Sequence, residues 1–224
     1  MNATSNTQDS LVLSYLGLRK GIGYIGMALP LVLVIGKMIL ESPGILDSIS
    51  AYYYSVMRNI FVGSLCAIAI FLISYRFERL DDIAGDLAGA SAIGVALFPT
   101  APDVGASGQQ MMIGLLHGLF ATCFFLTLAF FALVLFRKTD QKNPKRRKRQ
   151  RNMVYLFCGI AIVVSLALIG LIVLVSFLSG NPWLQPLHPV LWLEALAIEA
   201  FGVAWFVKGE TILKDGKGGW LNDN

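Results

Sequence analysis

Six stretches of this chain stay apolar for about the thickness of a bilayer, and that constrains its fold more than any other feature. A membrane-crossing helix needs about 20 mostly apolar residues, with about 17–25 as the usual range. Gly21–Leu40, Asn59–Tyr75, Ile83–Phe98, Met111–Phe136, Met153–Leu178 and Val190–Val207 meet or approach that length. In hydrocarbon every backbone N–H and C=O must be paired within the protein, so runs this long read as helices. Composition agrees: 56% of residues are apolar and 14% charged, with a mean hydropathy of +0.67, whereas average soluble domains carry about 25% charged residues. The expected fold is all-α, a polytopic membrane bundle of six transmembrane helices. The third stretch is the weakest, diluted by Asp86 and by many Gly and Ala, and is placed inside the bundle. Cys66, Cys123 and Cys158 all lie in apolar runs without CxxC spacing, which argues against a disulfide framework or a zinc ribbon.

Lys and Arg concentrate in the cytoplasmic loops of membrane proteins. With the N-terminus inside, the cytoplasmic side collects Arg19, Lys20, Arg76, Arg79, the basic loop 137–151, Lys208, Lys214 and Lys217, which together hold 16 of the 18 basic residues. Lys37 and Arg58 remain on the outer half. Both termini are therefore expected in the cytoplasm, with residues 1–10 a disordered tail, 11–207 the transmembrane domain and 208–224 a cytoplasmic tail. The opening MNATSNTQDS has no basic n-region and precedes a full-length span, so no signal peptide is expected. The cell membrane (plasma or bacterial inner) is the expected location. Lys145, Arg146, Arg147, Lys148 and Arg149 are read as a topology determinant that touches anionic lipid headgroups, and no nucleic-acid partner is expected.

Between the first two stretches, Pro43–Met57 repeats Ile45, Ile49, Tyr52 and Val56 at helical spacing, with Asp47, Ser50, Tyr54 and Arg58 on the other side. This predicts an interfacial amphipathic helix, its tyrosines at headgroup depth. Gly85 and Gly89, continued by Ala92 and Ala96, and Gly114 with Gly118 form small-residue stripes that let helices approach closely. They fit packing within the chain, and leave a homo-oligomer open. Pro30 is expected to kink the first span.

Ionisable groups inside a membrane are costly and are functional candidates by default. Lys37, Asp47, Tyr54, Arg58, His117, His188, Glu194 and Glu199 all fall toward the outer side, with Glu199 the deepest at about 14 Å along the last span. Asp86, near the cytoplasmic end, is the exception. The set suggests a crevice open to the outside between spans one, two, four and six. Its bland counterpart is a group of satisfied contacts: Glu199 with a histidine, Lys37 with Glu41, Arg58 with Asp47. A catalytic zinc site usually needs three protein ligands. His117, His188 and Glu199 are the available set, with Asp47 or Asp103 as substitutes, but no HxxxH or HExxH spacing supports it, and no resident metal or cofactor is expected.

The stretches SISAYYYSVMRNIFVG (Ser48–Gly63), GVALFPT (Gly94–Thr100) and WLEALAIEAFGVAWFVKGE (Trp192–Glu210) together resemble a family of small uncharacterised bacterial integral membrane proteins. A more distant likeness is to the membrane hydrolases that include alkaline ceramidases and progestin/adiponectin-type receptors. That likeness implies seven helices, an intramembrane zinc, a Ser-x-x-x-His element and paired histidines on the last helix. Here Ser50 is followed four positions on by Tyr54, the last span has no HxxxH, and six spans are counted. Three functions follow: a protein that binds or conducts a small solute or ion through the outer crevice, a membrane hydrolase of lipid-like amides or esters, or a structural or signalling subunit.

Overall fold

The computed structural model describes residues 3–102, 105–138, 146–180 and 185–210, with side chains from position 16 onward, 185 excepted. The described residues form helices and connecting turns, with no strand among them. Six helices follow one another: α1 (Ala3–Leu40), α2 (Arg58–Ser74), α3 (Arg79–Leu97), α4 (Gly108–Phe130), α5 (Arg146–Ser179) and α6 (Pro189–Lys208). Short 3₁₀ turns lie at Ser50–Tyr54 and Gln185–Leu187, and α4 runs on into a π-helical turn, Phe131–Leu135. Four helices are long and apolar enough to cross a membrane: Leu16–Leu40 of α1, α4 with its π turn, α5 and α6. Helix α2 is a shorter apolar helix. Helix α1 begins at Ala3, so residues expected as a disordered tail are helical in the fold.

Each helix packs on its neighbour in sequence, and α6 closes the ring against α1. Small residues set the closest crossings. A Cβ on Gly85 would sit 2.6 Å from the Leu72 carbonyl oxygen, and one on Gly89 would sit 2.9 Å from that of Ala69. The α3 stripe is therefore spent on α2. At the closing seam, a Cβ on Gly23 would meet the Phe206 backbone nitrogen at 2.8 Å, and one on Gly202 the Met27 nitrogen at 2.7 Å. Backbone-to-backbone approach of this kind holds helices together where lipid offers no hydrophobic drive between them. Gly118 has nothing within 4 Å and takes no part.

The interior has two layers. One surrounds Trp205, which is fully buried and meets the rings of Tyr75, Phe131 and Phe136 with centroids 5.1–5.4 Å away. The π turn seats Phe131 and Leu135 in this layer, next to Phe136 just beyond it. The other layer, at the opposite end, gathers Leu29, Leu33, Phe61, Leu65, Val95 and Leu191 around Ile49 and Tyr52.

Those last two residues belong to Pro43–Met57, where the structure departs from the expected amphipathic helix. Only Ser50–Tyr54 forms a 3₁₀ turn, and the rest of the segment bends. The cause is tertiary. The chain reverses at Gly44, whose φ of 112° suits glycine, then dips back into the ring so that Ile49 and Tyr52 are 1% and 0% exposed. Val56, assigned by periodicity to the same face, is 54% exposed. The segment is thus a loop that re-enters the ring and is held by the burial of Ile49 and Tyr52.

Candidate functional site

The re-entrant loop is fastened to the start of α6. His188 takes the left-handed conformation (φ 47°, ψ 47°) and Pro189 follows as the first helical residue. Proline lacks an N–H that the first turn would leave unpaired. The His188 Nδ1–H donates to the Asp47 carboxylate at 2.5 Å, and the Leu191 N–H donates to the Asp47 carbonyl at 3.0 Å. One turn further on, the Glu194 carboxylate accepts from the Ser50 N–H at 3.2 Å and from its hydroxyl at 3.3 Å. Glu194 thus serves as the polar partner of an otherwise unsatisfied loop backbone. No Lys or Arg among the described residues pairs with it. It borders a cavity of about 30 Å³, otherwise apolar apart from Ser50 and walled by Leu29, Phe61, Leu65, Phe124, Phe125 and Phe201.

The remaining outer candidates brace the loop. Lys37 is buried, and its Nζ donates to the Ser42 hydroxyl (3.0 Å) and to the carbonyls of Ser42 (3.2 Å) and Gly44 (3.4 Å). Glu41, its expected partner, instead accepts from the Val56 N–H at 3.0 Å. The Tyr54 hydroxyl donates to the Thr100 carbonyl at 2.7 Å. Arg58 lies over the Tyr53 ring, 4.2 Å from its centroid, and donates to the Tyr53 hydroxyl.

Two candidates stand apart. His117 is buried on α4 and its Nδ1–H donates to the Phe98 carbonyl at 2.7 Å, closing the α3–α4 connection. Glu199 is half-buried on α6 with no polar partner among the described residues. His117, His188 and Glu199 therefore do not meet, and no group of three or more His, Cys, Asp or Glu among the described residues could hold a metal. Asp103 lies outside the described residues.

At the other end of the ring, Asp86 makes a two-pronged pair with Arg76 (2.6 and 3.0 Å). Lys138 donates to Glu78 at 2.9 Å and lies 3.8 Å from Asp81. The bond to Glu78 holds the Lys138 ammonium above its ordinary range, while burial pushes the Asp81 carboxyl up. Of the basic run, Lys145 lies outside the described residues. Arg146, Arg147 and Arg149 are exposed on the first turn of α5, and Lys148 turns inward to donate to the Phe136 carbonyl at 3.1 Å.

Sequence reasoning did not see Ser50 as the partner of Glu194, nor Arg19 and Lys208 as inward-facing groups. For Ser50 the sequence carries no signal, since the contact joins positions 144 residues apart. For Arg19 and Lys208 a signal exists: both abut aromatic-rich spans, but they were counted only as loop charges.

Among the described residues the chain is all-helical, six helices closed into a ring, four of them long and apolar enough to cross a membrane, which is the architecture of a membrane-type helix bundle. Comparison with protein-family models, with curated proteins and with solved structures gives no match.

Proposed function

We propose that this is a six-span membrane protein, both termini cytoplasmic, that binds a proton or a small monovalent cation at Glu194 beneath the outer re-entrant loop. The observation that carries this reading is the carboxylate itself: two donors from Ser50, an otherwise apolar cavity, and no cationic side chain paired with it among the described residues. A carboxylate in such surroundings needs a compensating positive charge. A cavity of about 30 Å³ has room for a water-sized occupant, which fits a dehydrated cation or a hydrated proton. The Ser50 hydroxyl adds an oxygen ligand of the kind that hard cations prefer.

Six spans are supported by the ring. Helices α2 and α3 have 17 and 19 residues, about 25 and 28 Å at 1.5 Å per residue, close to the hydrocarbon thickness of about 30 Å. The pairings of Arg19 with Tyr75, Lys138 with Glu78 and Lys148 with Phe136 gather the basic residues at one end, as the positive-inside rule requires of a cytoplasmic face.

The test is thermal unfolding of the detergent-purified protein across pH and across Li⁺, Na⁺ and K⁺ titrations, compared with Glu194→Gln. Mass action gives about 2.7 kcal/mol of stabilisation at 100 times the dissociation constant. The wild type should respond to one cation or to acid, and Glu194→Gln, which keeps an acceptor for Ser50, should lose that response. Equal responses from both proteins would remove Glu194 from the reading.

A further inference from the structure

The outward side of α6 carries a second polar group that its surroundings do not explain, away from the cavity. Leu191, Glu194, Ile198 and Phe201 turn into the ring. Trp192, Leu196, Glu199, Val203 and Phe206 follow one another at steps of four, three, four and three residues. That spacing averages 3.5 and, at about 100° per residue, gathers them on the side roughly opposite. Trp192 and Leu196 are 60% and 51% exposed, and Glu199, Val203 and Phe206 are half-buried. The stripe runs about 21 Å along the helix axis, most of the hydrocarbon thickness of about 30 Å. Its one ionisable member, Glu199, sits at its centre.

A carboxyl at that depth needs a cation or a hydrogen-bond partner. The spans packed on α6 supply no basic side chain: α1 has no Lys or Arg between Lys20 and Lys37, α5 has none after Arg151, and α4 has none. His117, the imidazole on α4, is already bonded to the Phe98 carbonyl. Lys208 lies nine residues further along α6, about 14 Å away on the axis. An apolar seam of heptad spacing interrupted by a single polar residue is the pattern by which helices fix register and partner. We propose that this seam of α6 is an interface with a second copy of the chain, each Glu199 meeting its counterpart. The membrane favours this occupant. Chains inserted in one orientation hold their α6 helices parallel, and a two-fold axis along the bilayer normal sets every seam residue against its own counterpart. A neutral carboxyl donates one hydrogen bond and accepts another, so two of them satisfy each other without leaving a charge in hydrocarbon. The inference rests on α6 crossing the membrane and is independent of Glu194, which lies about 140° around the helix.

The first test is cross-linking. The full-length chain lacking Cys66, Cys123 and Cys158 and carrying Leu196→Cys or Val203→Cys is oxidised with copper phenanthroline in native membranes. Each should give a covalent homodimer, because counterparts on a seam lie within about 7 Å, the reach of a disulfide. Ile70→Cys, exposed on α2, should stay monomeric. The second is energy transfer between donor- and acceptor-labelled full-length chains in phosphatidylcholine vesicles as the lipid-to-protein ratio is raised. Glu199→Leu should associate about tenfold more weakly, the loss of an interhelical hydrogen bond. Glu199→Gln, whose amide also donates and accepts, should stay within about threefold of wild type. Cross-linking leaves Glu199 in place, so it decides the matter even where a Glu199 variant does not insert. The proposal fails if the seam cysteines give no covalent homodimer or join a different protein, or if Ile70→Cys cross-links as readily. It fails equally if the wild type is monomeric at every lipid-to-protein ratio, or if Glu199→Leu associates as tightly as wild type.

Discussion

Replacing Asp47 with alanine should loosen the re-entrant loop without unfolding the ring. The substitution removes the bond from His188 Nδ1 and leaves the Leu191-to-Asp47 backbone bond and the Ser50–Glu194 pair in place. The side chains of His188 and Asp47 are 28% and 32% exposed. That places the pair between a sheltered charge-assisted bond, about 1.5–3 kcal/mol, and a solvated one, about 0.2–1 kcal/mol. A loss of about 1–1.5 kcal/mol corresponds to about a tenfold rise in the undocked population. The probe is Ile49→Cys in a chain lacking Cys66, Cys123 and Cys158. Position 49 is 1% exposed, so a thiol there reacts only when the loop lifts. Reaction with a methanethiosulfonate should be about tenfold faster in the Asp47→Ala background, tracking the open population. Val56→Cys, at a position already 54% exposed, should react equally fast in both. A double-mutant cycle with His188→Asn, a residue that tolerates the left-handed backbone, isolates the pair itself. Reasoning from the bond is refuted if the Ile49→Cys rate changes by less than about twofold, or if the two substitutions add without coupling.

The glycine seam gives a sharper contrast. Gly85→Leu should cost at least about 1–3 kcal/mol of unfolding free energy in detergent, because its Cβ would press on a backbone carbonyl that cannot yield. Gly118→Ala, at an open site, should be neutral or gain up to about 1 kcal/mol of helix propensity; equal effects at the two sites would show that α2 and α3 do not meet as described. For topology, single cysteines at Gly105 and Arg149 should label from outside and inside intact cells respectively. The reverse result inverts the orientation and places Glu194 on the cytoplasmic side.

The helices were legible because length and apolarity report directly on what a bilayer demands. The stretch Val190–Val207 became Pro189–Lys208, and Asn59–Tyr75 became Arg58–Ser74. Hydropathy sees only the lipid-facing part of a helix, so α5 was read from Met153 although it starts at Arg146. The same blindness hid the helical start of α1. The outer loop was misread for a different reason. Periodicity in Pro43–Met57 is real, but it arises because Ile49 and Tyr52 are anchors in a tertiary socket, and two anchors three residues apart mimic a helix face. Of the site residues, His188, Asp47 and Glu194 are brought together at the α6 start, while Arg58 meets Tyr53 and Glu199 has no polar partner among the described residues. Which polar groups meet is set by the ring closure of α6 on α1, a long-range event that no local spacing encodes.

The ring closure also separates two kinds of basic residue that a charge count treats alike. Arg146, Arg147 and Arg149 stand exposed on the first turn of α5. Arg19 and Lys208 are turned onto Tyr75 and Phe136, where hydration is partly lost and the charge must be answered within the protein or by a ligand. In the proposed six-span orientation both kinds count alike, since orientation depends on the number of cations near each span end. Only the second kind is coupled to the packing of α1, α5 and α6. Exchange of Arg19 for lysine removes a planar group from the Tyr75 face and its bond to the Tyr75 hydroxyl, and should lower the unfolding temperature in detergent more than the same exchange at the exposed Arg149. The basic end therefore holds two physically distinct kinds of cation, exposed ones on α5 and ones turned onto aromatic rings.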